Sequence, residues 1–261
     1  MNGIEQIIGG EICLEGQTIN RDKKASHLLE IHEISDILNE ICLEGQTINH
    51  DKKASHLLEI HEISDILNEI SDTSIDDEFS INNNGINYKL GNDSKIISKI
   101  YEIIIIDKLK GLLDTKGYKY IENEIQNKYP DFIIISKIQE EKFYAVDIKS
   151  SYLKTKTEIK GFTLGTYKGY FKNRDSLCSI VKPYNNFIKH FCICVIYSRT
   201  GILIPVKHII VKEKWEIARN GAGSGNTCNI GSVKLLSDLL GNKPYFNNED
   251  EFNAFWLSYK C

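Results

Sequence analysis

The chain lacks any apolar run long enough to cross a bilayer. Stretches such as Ile-Ile-Ile-Ile at 103–106 fall far short of the roughly 20 residues that a spanning helix needs, so no membrane partner is expected. Its start, MNGIEQIIGGEICLEG, has neither the basic n-region nor the long apolar h-region of a signal peptide. Cysteine occurs 7 times, an odd number, without the spacing of a metal-ligand set. Cys192 and Cys194, in FCICVIY, share one face of an expected strand and read as buried thiols. A reducing, cytoplasmic setting is the expectation. Strong net charge is also missing: 36 acidic against 32 basic residues leave −4 over 261 residues.

That near-neutrality conceals a division. Residues 1–76 hold 16 acids and 5 bases, a charge of −11; the rest hold 20 acids and 27 bases, a charge of +7. The larger part is therefore basic and permits a polyanionic partner. The acidic front contains a tandem repeat. Residues 11–39 recur at 40–68 with one change, Arg21 to His50. Two copies are too few for a solenoid, which needs at least about three, and near-identity points to recent duplication. Each copy carries KKASHLLEIHEISDILNE, an amphipathic helix by its spacing of Leu and Ile. His27, His32, His56 and His61 lie on it without a Cys or carboxylate frame; a solvated helix face explains them better than a metal site. The expected division is an added, duplicated helical segment, 1–56, and a main domain, 57–261.

After a polar linker or turn, SDTSIDDEFSINNNG, the pattern mixes elements. A helix is predicted over 94–113, capped by Asn92 or Asp93. Strands follow near 118–122, 131–136, 142–149 and 190–198, with one or two more within 206–218, and a helix closes the chain. Helices flanking a mixed sheet make the fold class α/β (α+β).

YPDFIIISKIQEEKFYAVDIKSSY, residues 129–152, reads as a hairpin of two apolar strands, yet it carries Asp131, Asp147 and Lys149. Burying unpaired charge is costly. Alternation sends Asp147 and Lys149 to one side, and a neighbouring strand can bring Asp131 to meet them. Two converging carboxylates repel unless a hard cation lies between them, and Mg²⁺ suits oxygen ligands. Such a site could activate water and neutralise phosphate charge, with lysine beside it, in phosphodiester hydrolysis. The pattern P-D…D-x-K is loose, and an edge ion pair with a solvated Asp131 would also satisfy it. A second stretch, ARNGAGSGNTCNIGS (218–232), places Asn226 and Asn229 in a Gly/Ser loop that could approach base edges. A flexible loop is the plainer reading, and the absence of G-K-[S/T] speaks against a nucleotide P-loop.

YPDF, VDIKSSY, GFTLGTY, KW-IA with AGSGNT-NIGS, and EDEF--FW, in that order, resemble the EcoRV family of type II restriction endonucleases within the PD-(D/E)xK nucleases. The resemblance covers about residues 76–259. It implies a restriction-endonuclease-like core and a homodimer that cuts double-stranded DNA with Mg²⁺, at GATATC and with blunt ends. By that likeness Asp131, Asp147 and Glu102 would bind metal, and Lys149 would be catalytic with them. Gly223, Ser224, Gly225, Asn226, Thr227 and Asn229 would read the major groove, and Gln126 and Asn127 would approach the minor groove. Ser94, Lys95, Ser150, Ser151 and Thr163 would contact the DNA backbone. The chain stops at Cys261, where the family continues into a basic tail; weaker binding that leans more on the remaining cations is expected. Two other classes remain: a DNA-binding protein that does not cut, which the Asp131/Asp147/Lys149 set argues against, and a repair or junction nuclease, which the Gly/Asn loop disfavours.

Overall fold

The computed structural model describes residues 47–75, 78–91, 93–125, 128–172, 180–199, 203–223, 229–241 and 243–260. The first repeat, Gln126, Asn127 and the loop tip Ser224–Thr227 lie outside them, as does the cap candidate Asn92.

The chain from Ser55 onward clusters as one unit and Met1–Ala54 as another. Helix α1 (Thr47–Glu69) begins earlier than its apolar periodicity predicts. Ile63, Ile66 and Leu67 bury its inner stripe, and His61 pairs with Asp65 one turn on, at 3.0 Å. Glu59 is buried too, and is fully used: it accepts from the Ser136 hydroxyl at 2.7 Å, the Tyr144 hydroxyl at 2.9 Å and the Lys137 amide. Such multiple donation is what lets a carboxylate leave water.

The expected linker at 71–85 is in part a hairpin instead. Strands β1 (Ser80–Asn83) and β2 (Ile86–Lys89) pair antiparallel around Asn84 and Gly85, both at positive φ (52° and 81°). Asn-Gly supplies the two left-handed residues that a tight hairpin turn demands, so the Asn-rich run codes a turn between short strands. Helix α2 (Ser94–Lys116) starts at Asp93, whose carboxylate accepts from the amides of Lys95 and Ile96, and ends at Gly117, φ 70°.

The centre is a five-stranded mixed sheet in the order β3-β4-β5-β6-β7. It comprises β3 (Tyr120–Glu122), β4 (Phe132–Ile135), β5 (Phe143–Tyr152), β6 (Phe187–Tyr197) and β7 (Val206–Glu213). All neighbours are antiparallel except β5 and β6, so the chain between those two crosses over. Alternation splits the core. Phe132, Ile134, Tyr144, Val146 and Ile148 face α1 and α2. Ile133, Phe143, Ala145, Cys192 and Cys194 face the other side, which is covered by the crossover and the C-terminal elements. Burial pushes the Cys192 thiol up to about 12, as expected of an inert core thiol.

The stretch 206–218 is not two consecutive strands. After β7 comes one helical turn, α3 (Lys214–Ile217), closed by a capping box between Glu213 and Glu216. Then β8 (Ala218–Ala222) and β9 (Ile230–Ser232) form a separate hairpin. Its strands approach so closely that a Cβ at Gly231 would sit 2.3 Å from the Gly221 carbonyl oxygen. A short helix, α4 (Leu236–Leu240), and α5 (Glu249–Ser258), capped by Asn248, complete the fold. Among the described residues no helix is long and apolar enough to cross a membrane.

Candidate active site

The register of the β4–β5 hairpin decides where the charges go. Phe132 stands opposite Val146, so Asp131, one residue before β4, stands opposite Asp147. Both leave the sheet on the side away from α2, as does Lys149. Asp131 is fixed by the Ile148 amide, which donates to its Oδ2 at 2.7 Å. Lys149 Nζ lies 2.8 Å from Asp147 Oδ1 and 3.5 Å from Asp131 Oδ2. Asp147 is 2 % exposed.

The electrostatics are those of two acids forced together. Burial first, and then the Asp147 carboxylate, raise Asp131 to about 7 against the pull of Lys149. Burial alone would lower Lys149, but Asp147 and Asp131 outweigh it and hold the ammonium charged. The site thus has negative charge in excess of its one lysine.

Around it opens a cleft of ≈ 1340 Å³. Ser94, Lys95, Glu102, Asp131, Asp147, Lys149, Ser150, Ser151, Thr163 and Asn229 all line it. Among the described residues the hydroxyl of Ser151 is buried there without a hydrogen-bond partner. Glu102 lines the cleft from α2 and adds to the negative field at Asp131, but it is held by Lys99 at 2.6 Å. Among the described residues no three His, Cys, Asp or Glu side chains gather closely enough to hold a metal ion. Gly223 is not in the lining; its amide donates to the Asn229 carbonyl at 2.9 Å and closes the base of the β8–β9 hairpin.

Several lining residues escaped sequence reading. Ser98 joins α2 to β5 through Ser150, Oγ to Oγ 2.6 Å. Arg199 stacks on the Tyr152 ring, 3.9 Å from its centroid, and Lys160 lies over the same ring at 5.8 Å. The lining carries six basic side chains against four acidic ones, which gives its walls the sign a phosphate backbone requires. Helical spacing could have placed Ser98 one turn from Ser94. Arg199 has no local signal: it reaches the cleft only because β6 runs parallel to β5.

A family model described as "Restriction endonuclease EcoRV" matches residues 71–261. The type II restriction enzyme EcoRV of Escherichia coli is 33% identical over 192 residues, 66% of this chain and 78% of that protein. Among solved structures, the NlaIV restriction endonuclease aligns at 16% identity and a TM-score of 0.49, covering 75% of this chain and 77% of that one.

Proposed function

The chain belongs to the EcoRV family of restriction endonucleases, and from that premise we propose that it cuts both strands of GATATC with Mg²⁺ and leaves blunt ends. The observation that carries the catalytic assignment is the convergence of Asp131, Asp147 and Lys149 at the floor of a basic cleft. The donor set fits the metal. Without a cation, burial and the repulsion between the two acids together push Asp131 up to about 7. A divalent ion would relieve that repulsion, and Mg²⁺ accepts two carboxylates while keeping several waters. When bound, the ion supplies an activated water and neutralises charge on the phosphate.

The protein's own groups do the rest. Lys149, kept charged by its acidic neighbours, faces the cleft as a cation for the scissile phosphate rather than as a proton acceptor. Ser94, Lys95, Ser150, Ser151 and Thr163, which line the cleft, contact the DNA backbone. Asn229 and the loop Gly223–Thr227 read bases in the major groove, and Gln126 and Asn127 approach the minor groove. Glu102 acts from the cleft wall as an accessory acid.

A second copy completes the enzyme, because a palindrome presents the same bonds to two equivalent sites. The exposed Ile81, Ile86, Tyr88 and Ile96, about the β1–β2 hairpin, supply apolar surface for it. The duplicated front, residues 1–56, is an acidic appendage to a domain spanning 57–261, and the setting is cytoplasmic. Digestion of a fully sequenced plasmid with Mg²⁺, followed by mapping of the ends, tests the proposal. Blunt ends within GATATC are expected; ends elsewhere, or intact plasmid, would sink it.

A further inference from the structure

Beneath the cleft lies a charge the chemistry above does not use. Lys214, the first residue of α3, is 1 % exposed, and among the described residues its ammonium has no hydrogen-bond partner. It sits 3.4 Å from the centroid of the Tyr129 ring and 4.6 Å from that of Tyr170, two rings that are themselves 4.8 Å apart. Burial lowers it to about 8, and Asp147 is foremost among the groups that keep it charged. An unpaired buried ammonium is expensive, and cation–π attraction recovers only part of the loss. A chain under no other constraint would place methionine here.

The two rings lead in different directions. Tyr129 stands two residues before Asp131 and shares a hydrogen bond between its hydroxyl and His190 Nδ1, at 2.7 Å. His190 is stacked on Tyr184 at 4.0 Å and held neutral by burial and by the charge of Lys214. Tyr170 presses on the crossover at Gly165, where a Cβ would lie 1.8 Å from its hydroxyl oxygen. The Gly165 carbonyl accepts the Ile230 amide at 2.9 Å, and Thr166 bridges to Asn229. The lysine therefore touches one ring that abuts the catalytic turn and another that supports the base of the β8–β9 hairpin.

We propose that Lys214 is a positioning residue that couples recognition to cleavage: its ammonium fixes the Tyr129–Tyr170 pair, so that DNA seated on the β8–β9 hairpin sets the turn carrying Asp131. The inference rests on the reading of this cleft as a DNA endonuclease site with that hairpin as its reader.

The test uses the full chain and the Lys214→Met variant, which keeps the length and apolar contacts but removes the charge. Three quantities are compared: the thermal midpoint, binding in Ca²⁺ to a duplex carrying GATATC, and single-turnover cleavage in Mg²⁺ of that duplex and of a one-base variant. The midpoint should hold or rise, because an unpartnered charge has gone. Binding should stay within about twofold, while cleavage of GATATC falls about 10- to 100-fold, the size expected when a catalytic group is slightly misplaced. The rate on the one-base variant should fall less, so discrimination narrows. Lys214→Arg, which keeps a charge suited to stacking on rings, should restore most of the rate. Rates and discrimination like wild type in the Met variant would overturn the inference, as would rate and midpoint falling together in both variants. A wild-type protein that cuts no DNA would instead overturn the endonuclease reading itself.

Discussion

Tyr144, Val146 and Ile148 leave strand β5 toward α1 and α2; Ala145, Asp147 and Lys149 leave it on the opposite side. The first set is buried among aliphatic and aromatic neighbours. The second begins in core and ends in a charged cleft. One ten-residue strand thus does two jobs by alternation alone. On the α2 side, burial is satisfied by apolar contact and the strand is held in place. On the cleft side the same rigidity is used to hold like charges together, a cost that the packing opposite must offset. Stability and chemistry should therefore separate residue by residue along β5 and its neighbour β4.

The largest expected effect is on chemistry without stability. Asp147→Ala should abolish cleavage in Mg²⁺ while the circular dichroism spectrum and, without metal, the melting temperature hold or rise slightly. A variant that cuts at the wild-type rate would remove Asp147 from the site. The converse substitution lies on the other side of the hairpin. Ile134→Ala should cost about 2–5 kcal/mol, the range for emptying a packed aliphatic site, read from urea midpoints, with cleavage per folded molecule nearly unchanged. A large loss of rate at full folding would show that the two faces are not independent.

Recognition should be separable from both. Asn226→Ala should cost about 1–3 kcal/mol of base discrimination through loss of a bidentate contact, measured as the ratio of cleavage rates on GATATC and single-base variants; an unchanged ratio would leave the loop without its assigned role. A subtler expectation concerns pH. Asp131 is raised from 3.8 to about 7, so between those values the folded, metal-free protein keeps a proton that the unfolded chain has released. Its stability should fall as pH rises through that window and level off above it, since the unfolded state binds fewer protons there. Mg²⁺ should flatten the slope, and a flat urea-midpoint profile without metal would contradict it.

The smallest effect should come from the front. Deleting residues 2–55 removes ten acids and five bases, a change of +5. Titration by fluorescence anisotropy in Ca²⁺ should show equal or slightly tighter DNA binding, most clearly at low salt. Insoluble or weakly binding protein would make the repeat part of the working domain.

Alternation made much of this legible. The β4–β5 hairpin, the helix from Ser94 and the facing of Asp147 with Lys149 follow from local pattern, and Asp131 needed only the antiparallel register. What stayed hidden depends on contacts far apart in sequence. Lys214 reads as one more charge in KEKWEIA until the fold places it on Tyr129 and Tyr170, residues 85 and 44 positions earlier. The β1–β2 hairpin was missed for the opposite reason. Its Asn-Gly signal is local and plain, but strands exposed at every position carry no apolar alternation to flank it.

The Glu59 clasp has a mechanical consequence. It gathers the Ser136 hydroxyl, the Lys137 amide and the Tyr144 hydroxyl at the turn end of β4, whereas Asp131 lies at the other end, about 16 Å away at the ordinary rise of a strand. A pull on the chain through α1 would load that carboxylate and its three donors before it reached Asp131, Asp147 and Lys149. Immobilising the protein by its front end on a bead or a surface should therefore leave the floor of the cleft unstressed, with the clasp as the first bond set to yield.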